Sequence, residues 1–136
     1  MLTLNRPMAL LTSPLVEKVI GLAIEVHQAV GPGLLESAYE PCLAYELLHH
    51  GVRFERQVAI PMKYKEVSLD CGYRADFVVD GTLVVEIKSV DRLVPLHTAQ
   101  LLTYLRLTGL HQGLIFNFNV TRLVNGLKSV VHRLGE

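Results

Sequence analysis

Arg74-Ala75-Asp76-Phe77-Val78-Val79-Asp80-Gly81-Thr82-Leu83-Val84-Val85-Glu86-Ile87-Lys88 is the stretch on which the reading of this chain turns. Apolar, mostly β-branched residues on both sides of the Asp80-Gly81 turn signal describe a buried β-hairpin. Asp76, Glu86 and Lys88 nevertheless sit inside it. Ionised side chains are rarely buried unless paired or bound to a metal, because desolvating them costs several kcal/mol. These three charges therefore need a chemical reason.

Side-chain alternation along a strand puts Glu86 and Lys88 on one face and Leu83, Val85 and Ile87 on the other. Whether Asp76 joins them depends on the turn. A two-residue loop at Asp80-Gly81 pairs Val79 with Thr82 and Asp76 with Val85, leaving Glu86 on the wrong face. A three-residue loop, Val79-Asp80-Gly81 with Gly81 as a left-handed bulge, pairs Val78 with Thr82 and brings Asp76 diagonal to Glu86. A shared site thus requires a bulged or odd-length turn. The alternative is that Asp76 caps the strand end while Glu86 and Lys88 form a solvated ion pair on an edge strand. In the first case an aspartate followed by Glu-x-Lys on the next strand can hold a divalent cation and a lysine beside a phosphate.

The chain has 136 residues, half of them hydrophobic, and no low-complexity tract. That describes a single folded domain, 1–136, with residues 1–12 as an N-terminal extension, burying roughly two thirds of the unfolded chain's surface. No apolar run reaches the ~18 residues of a membrane span, and the opening residues lack the pattern of a signal peptide, so no membrane is expected and cytoplasm is the default. Cys42 and Cys71 are too few for a disulfide framework and have no zinc-type spacing. Net charge is zero, which argues against strong autonomous binding to a nucleic-acid backbone. The distribution is uneven: residues 1–86 carry 7 Lys+Arg against 11 Asp+Glu, and residues 87–136 carry 6 against 2. The late bases Arg92, Arg106, Arg122, Lys128 and Arg133 either flank the acidic centre and meet phosphates or form an ordinary solvated surface.

Ser13-Pro14 reads as an N-cap with proline at the first helical position, opening a helix that ends at Gly31-Pro32-Gly33. A second helix is expected over Leu34 to His50, stopped by Gly51. Pro41 inside it predicts either a kink or a first turn closer to the proline. Strands are expected over Val52 to Tyr64, Val67 to Val79 and Thr82 to Val90, then a helix over Pro95 to Thr108 closed by Gly109. Leu114 to Phe118 and Leu127 to Leu134 read as two further strands. The order α-α-β-β-β-α-β-β predicts an α/β fold, a mixed sheet flanked by helices.

His97, Gln100 and Tyr104 lie along one stripe of the third helix, and Gly33, Glu36 and Tyr39 are spaced by three on the second. A polar stripe beside an apolar one ordinarily faces solvent. Gly31-Pro32-Gly33 is no phosphate loop, since no Gly-Lys-Ser/Thr follows, and no Gly-x-Ser-x-Gly elbow is present. His49-His50 reads as a pair capping a helix end.

Taken together, Gly33-Leu34-Leu35-Glu36-Ser37-Ala38-Tyr39, Asp76, Glu86-Ile87-Lys88, Gln100-Leu101-Leu102-Thr103-Tyr104 and the Asn117-Phe118-Asn119 strand end resemble the GxxExxY protein family within the PD-(D/E)xK nuclease superfamily. The Gln-x-x-x-Tyr element is also similar to that of RecB-type nuclease domains. The sequence departs from the superfamily pattern at Ala75, where a proline would precede the aspartate. The resemblance implies a restriction-endonuclease-like core and metal-dependent hydrolysis of phosphodiester bonds in DNA or RNA. It implies that Glu36, Asp76, Glu86 and the Ile87 carbonyl hold Mg²⁺ or Mn²⁺, that Lys88 orients or deprotonates the attacking water, and that Gln100 and Tyr104 position the lysine or a phosphate. Two other readings stand beside it. One is a catalytically inactive module of the same fold that binds nucleic acid or protein, and the other is a subunit needing a homodimer or partner protein to complete a substrate groove.

Overall fold

The computed structural model describes residues 12–133, so the expected extension at 1–12 falls outside them but for residue 12; of the strand expected over Leu127 to Leu134 only Leu134 falls outside, and that strand stops at Val131, earlier than expected. Helix α1 spans Pro14–Val30, with the Ser13 hydroxyl accepting the Val16 N–H at 3.1 Å and Pro14 in the first turn. It ends at Gly31, whose φ of 72° lets the chain turn away. Helix α2 spans Glu36–His49, so its first turn lies two residues nearer Pro41 than the apolar pattern suggests. Pro41 stays within the helix and leaves the Ser37 carbonyl without its i+4 donor.

The three long strands expected between 52 and 90 are five shorter ones: β1 Phe54–Ala59, β2 Met62–Tyr64, β3 Val67–Leu69, β4 Arg74–Val79 and β5 Leu83–Lys88. Proline at 61 lacks a ladder N–H, and the Asp70-Cys71-Gly72 turn has Gly72 at φ 80°, so each long run breaks there. Helix α3 spans Pro95–Thr108, as its signals predict, and Gly109 caps it in the left-handed conformation. Strand β6 (Gln112–Asn117), a 3-10 turn at Leu123–Gly126 and β7 (Leu127–Val131) complete the chain.

One five-stranded sheet has the order β1-β4-β5-β6-β7, and β2-β3 form a separate two-stranded hairpin. The β5/β6 pair is parallel and is bridged by α3; the other pairs are antiparallel. Helices α1 and α2 cover one face through Val19, Leu43, Leu47, Phe77, Val85, Ile87 and Phe116. Helix α3 covers the other through Leu101, Tyr104 and Leu105 on Ala75, Val78, Val84 and Ile115. The result is the mixed sheet between helices of a restriction-endonuclease-like core.

The decisive turn is odd in length. Val79 pairs with Leu83, Val78 with Val84 and Phe77 with Val85. Asp80 and Gly81 both take positive φ (52° and 66°), Thr82 N–H returns to the Val79 carbonyl at 3.0 Å, and Thr82 is the extra residue. The loop is therefore Asp80-Gly81-Thr82, one position later than Val79-Asp80-Gly81. That shift sets Asp76 directly opposite Glu86 instead of diagonal to it.

Candidate metal and phosphate centre

Regular pairing between β4 and β5 stops at Phe77 and Val85, and the two carboxylates take over from the ladder. Glu86 Oε2 accepts the Asp76 N–H at 2.8 Å, and Asp76 Oδ2 accepts the Ile87 N–H at 2.7 Å. These crossed bonds fix both side chains in the opening between the strands. The Lys88 carbonyl accepts from Phe118 on the β6 side, so strand alternation turns the amide and carbonyl of Ile87 toward β4 and the same opening. The face pattern of β4 also switches here. Phe77 packs with α1 and α2, whereas Ala75 packs with α3. Across from Asp76 stands Gln57, a non-glycine residue at φ 51°. Such a backbone costs roughly 1–2 kcal/mol and marks a place where surrounding contacts hold the chain in shape.

Glu36 arrives from the other layer. It is the first residue of α2, and its Oε2 accepts the Ser89 N–H at 3.2 Å, just past the end of β5. The Gly-x-x-Glu-x-x-Tyr pattern explains its placement. Tyr39 is fully buried and stacks on Phe118 with ring centroids 4.4 Å apart. Its hydroxyl donates to the Gly31 carbonyl at 2.7 Å and accepts the Leu34 N–H at 3.1 Å, pinning the turn that launches α2. Gly33 sits at φ 96° in that turn. Tyr39 is thus a core anchor and not part of a solvent-facing stripe. Asn117, 2 % exposed, clamps the chain beyond β5 by bonding both the N–H and the carbonyl of Val90.

Two residues that sequence reasoning passed over complete the group. Glu40, one helical turn after Glu36, accepts from Arg56 Nε at 3.3 Å and from Gln57 Nε2 at 3.0 Å. The same Gln57 nitrogen reaches Asp76 Oδ1 at 3.4 Å, so Gln57 bridges the outer and inner carboxylates. The i, i+4 spacing of Glu36 and Glu40 was the available signal.

Electrostatically the centre is strained without a cation. Burial pushes the Glu86 carboxyl up to about 8, with the charges of Asp76 and Glu36 adding to the rise against the Asp76 N–H and Lys88. Burial also raises Asp76, opposed chiefly by the Ile87 N–H, while Glu40 adds to the rise. The Lys88 side chain is half-buried on the Glu86 face, and its ammonium makes no hydrogen bond or close ion pair with a described residue. Oxygens of Glu36, Asp76 and Glu86 do not all approach within 4.8 Å of one another. Two carboxylates and a carbonyl edge in one buried opening are the oxygen donors that fit a hard divalent ion such as Mg²⁺ or Mn²⁺.

Tyr104 on α3 is buried, and burial together with the charges of Glu86 and Asp76 raises its hydroxyl. Gln100 lines the groove beside it and hydrogen-bonds no described residue. His97 caps its own helix, with Nδ1 accepting the Val94 N–H at 3.0 Å. The stripe on α3 is thus divided between core, groove and cap.

A family model described as the PD-(D/E)XK nuclease superfamily matches residues 13–130, most of the chain. The chain belongs to the PD-(D/E)XK nuclease superfamily. No curated protein and no solved structure gives a significant match. In this PD-(D/E)XK domain the open seam between β4 and β5 carries Asp76 on one strand and Glu86-Ile87-Lys88 on the other. A separate group, Glu25, Glu46 and His50, brings ligand atoms within 4.8 Å of one another between α1 and α2. It is largely exposed, and His50 Nδ1 is already engaged with the Glu46 carbonyl at 2.9 Å, as expected of a capping histidine.

Proposed function

We propose that this domain is a metal-dependent nuclease of the GxxExxY type that hydrolyses phosphodiester bonds in DNA or RNA. The observation that carries the reading is the reciprocal pair of bonds between Asp76 and the Glu86-Ile87 segment, which holds two oxygen-donor side chains in one opening beside Lys88. Asp76, Glu86 and the Ile87 carbonyl would hold Mg²⁺ or Mn²⁺, with Glu36 contributing through water. When bound, such an ion lowers the pKa of a water and offsets negative charge developing on the phosphate. The chain's own residues do the rest. Burial of Glu86 excludes bulk water and sharpens local electrostatics. Lys88, whose ammonium forms no close ion pair with a described carboxylate, orients the attacking water or takes its proton, and Tyr104 with Gln100 steadies the lysine or a phosphate oxygen. No described helix is long and apolar enough to cross a membrane, and both cysteines are free, which supports action in the cytoplasm.

The test is incubation with single-stranded, duplex and branched substrates in Mg²⁺ or Mn²⁺. Cleavage abolished by Asp76→Asn is expected. Absence of cleavage in every substrate, with Mn²⁺ shown to be bound, would overturn the reading. The second reading, a binding module without catalysis, draws on Gln100, which hydrogen-bonds no described residue. It gains ground if nucleic acid or a protein is bound with the same affinity by the wild type and by Lys88→Ala.

A further inference from the structure

A groove of about 520 Å³ lies against the centre, between α3 and the segment carrying the β2-β3 hairpin. Its walls are mostly apolar and aromatic: Met62, Tyr73, Leu96, His97, Gln100 and Tyr104. Tyr104 belongs to both places, since it lines the groove and feels the charges of Glu86 and Asp76. The Tyr73 and Tyr104 rings lie 6.2 Å apart at 50°, and Tyr73 is 42 % exposed. We propose that this groove binds an unpaired nucleobase next to the scissile phosphate, which makes single-stranded DNA or RNA the substrate class; the inference rests on the nuclease reading above.

The chemistry favours this occupant. A phosphate needs charge and hydrogen bonds, which the centre supplies, whereas an aromatic wall offers a stacking surface to whatever is attached to that phosphate. Bases expose their π-faces only when unpaired; in a duplex those faces are covered by neighbouring pairs. The residues adjoining the lining in the chain include Lys63, Arg74 and Arg106, all exposed, and no acid, which suits a strand whose backbone continues past the rim. Among the described residues the hairpin pairs with no further strand. Tyr64, Val67 and Leu69 are exposed, although an isolated two-stranded hairpin is marginal in water. A flexible strand laid along α3 would cover these side chains.

Fluorescence anisotropy with a labelled oligonucleotide tests the proposal, with Ca²⁺ replacing Mg²⁺ or Mn²⁺ to hold the complex. Three ligands are compared: a 15-nucleotide single strand, its duplex, and the same strand made fully abasic. Single-strand binding should exceed duplex binding, and Tyr73→Ala should weaken it about tenfold, within the range of one base–aromatic stack. Tyr73→Phe should retain it. Leu96→Ala, at a position 75 % exposed and so harmless to folding, should weaken it too. Wild type should bind the abasic strand as poorly as Tyr73→Ala binds the intact one. Equal affinity of wild type, Tyr73→Ala and Leu96→Ala for the single strand, or undiminished binding of the abasic strand, overturns the groove assignment. The two readings fail separately. Mn²⁺-dependent cleavage with Tyr73-independent binding sinks the groove alone, and Tyr73-dependent binding without any cleavage sinks the nuclease alone.

Discussion

Neutralising Glu86 should stabilise the metal-free protein, a direction opposite to that of most core substitutions. Its carboxyl moves from an ordinary 4.5 to about 8 on folding, first because it is buried and second because Asp76 lies beside it. Below pH 4.5 the group is protonated in both states and contributes nothing. As pH rises, the unfolded chain ionises first, so stability falls until ionisation is complete in the folded state above 8. At pH 7 the gap of 2.5 pH units above 4.5, at 1.36 kcal/mol each, gives a penalty of about 3 kcal/mol from this group. Glu86→Gln removes the charge and keeps an oxygen to accept the Asp76 N–H. The expected gain at pH 7 in EDTA is about 3 kcal/mol, a rise of roughly 10 °C in Tm for a domain of this size. Thermal unfolding followed by far-UV circular dichroism between pH 5 and 8 measures it. Wild type should lose stability across that range, and the variant should be flatter. Saturating Mn²⁺ should stabilise wild type and leave the variant nearly unchanged. A wild-type Tm that holds or climbs from pH 5 to 8 without metal, or a variant less stable than wild type at pH 7, would refute the reasoning.

Lys88→Met should keep Mn²⁺ affinity, measured by calorimetry, at or above the wild-type value, because it removes a positive charge beside the ligands; cleavage should fall at least about 100-fold, the low end for a positioned proton-transfer group. Gln57→Ala should leave the circular dichroism spectrum unchanged, since glutamine and alanine bear the same left-handed backbone cost, yet it should lower Mn²⁺ affinity about tenfold by cutting the bridge between Glu40 and Asp76. Gly126→Ala would drive a Cβ into the Asn117 carbonyl oxygen; a loss of about 3 kcal/mol in denaturant unfolding is expected, with loosening of the Asn117 clamp on Val90.

Elements set by neighbours in the chain were legible from the sequence alone. Ser13-Pro14 and Gly31 bound α1, and Pro95 and Gly109 bound α3, because caps and left-handed stops act within a few residues. Alternation placed Glu86 with Lys88, and parity alone demanded an odd hairpin if Asp76 was to meet them. Distant contacts decided the rest. Which residue of the turn is extra depends on how Phe77 and Val85 seat against α1 and α2, a packing choice made outside the hairpin. Tyr39 reads as one of a surface stripe until Phe118, 79 positions later, stacks on it. Glu40 shows only its i, i+4 spacing from Glu36 and Gln57 carries no local signal at all, because the bridge to Asp76 exists only once α2, β1 and β4 are brought together. Local stereochemistry is written in short windows of sequence, whereas a charge's burial and partners are properties of the assembled layers, and for that reason the carboxylates could be named in advance but their crossed bonds could not.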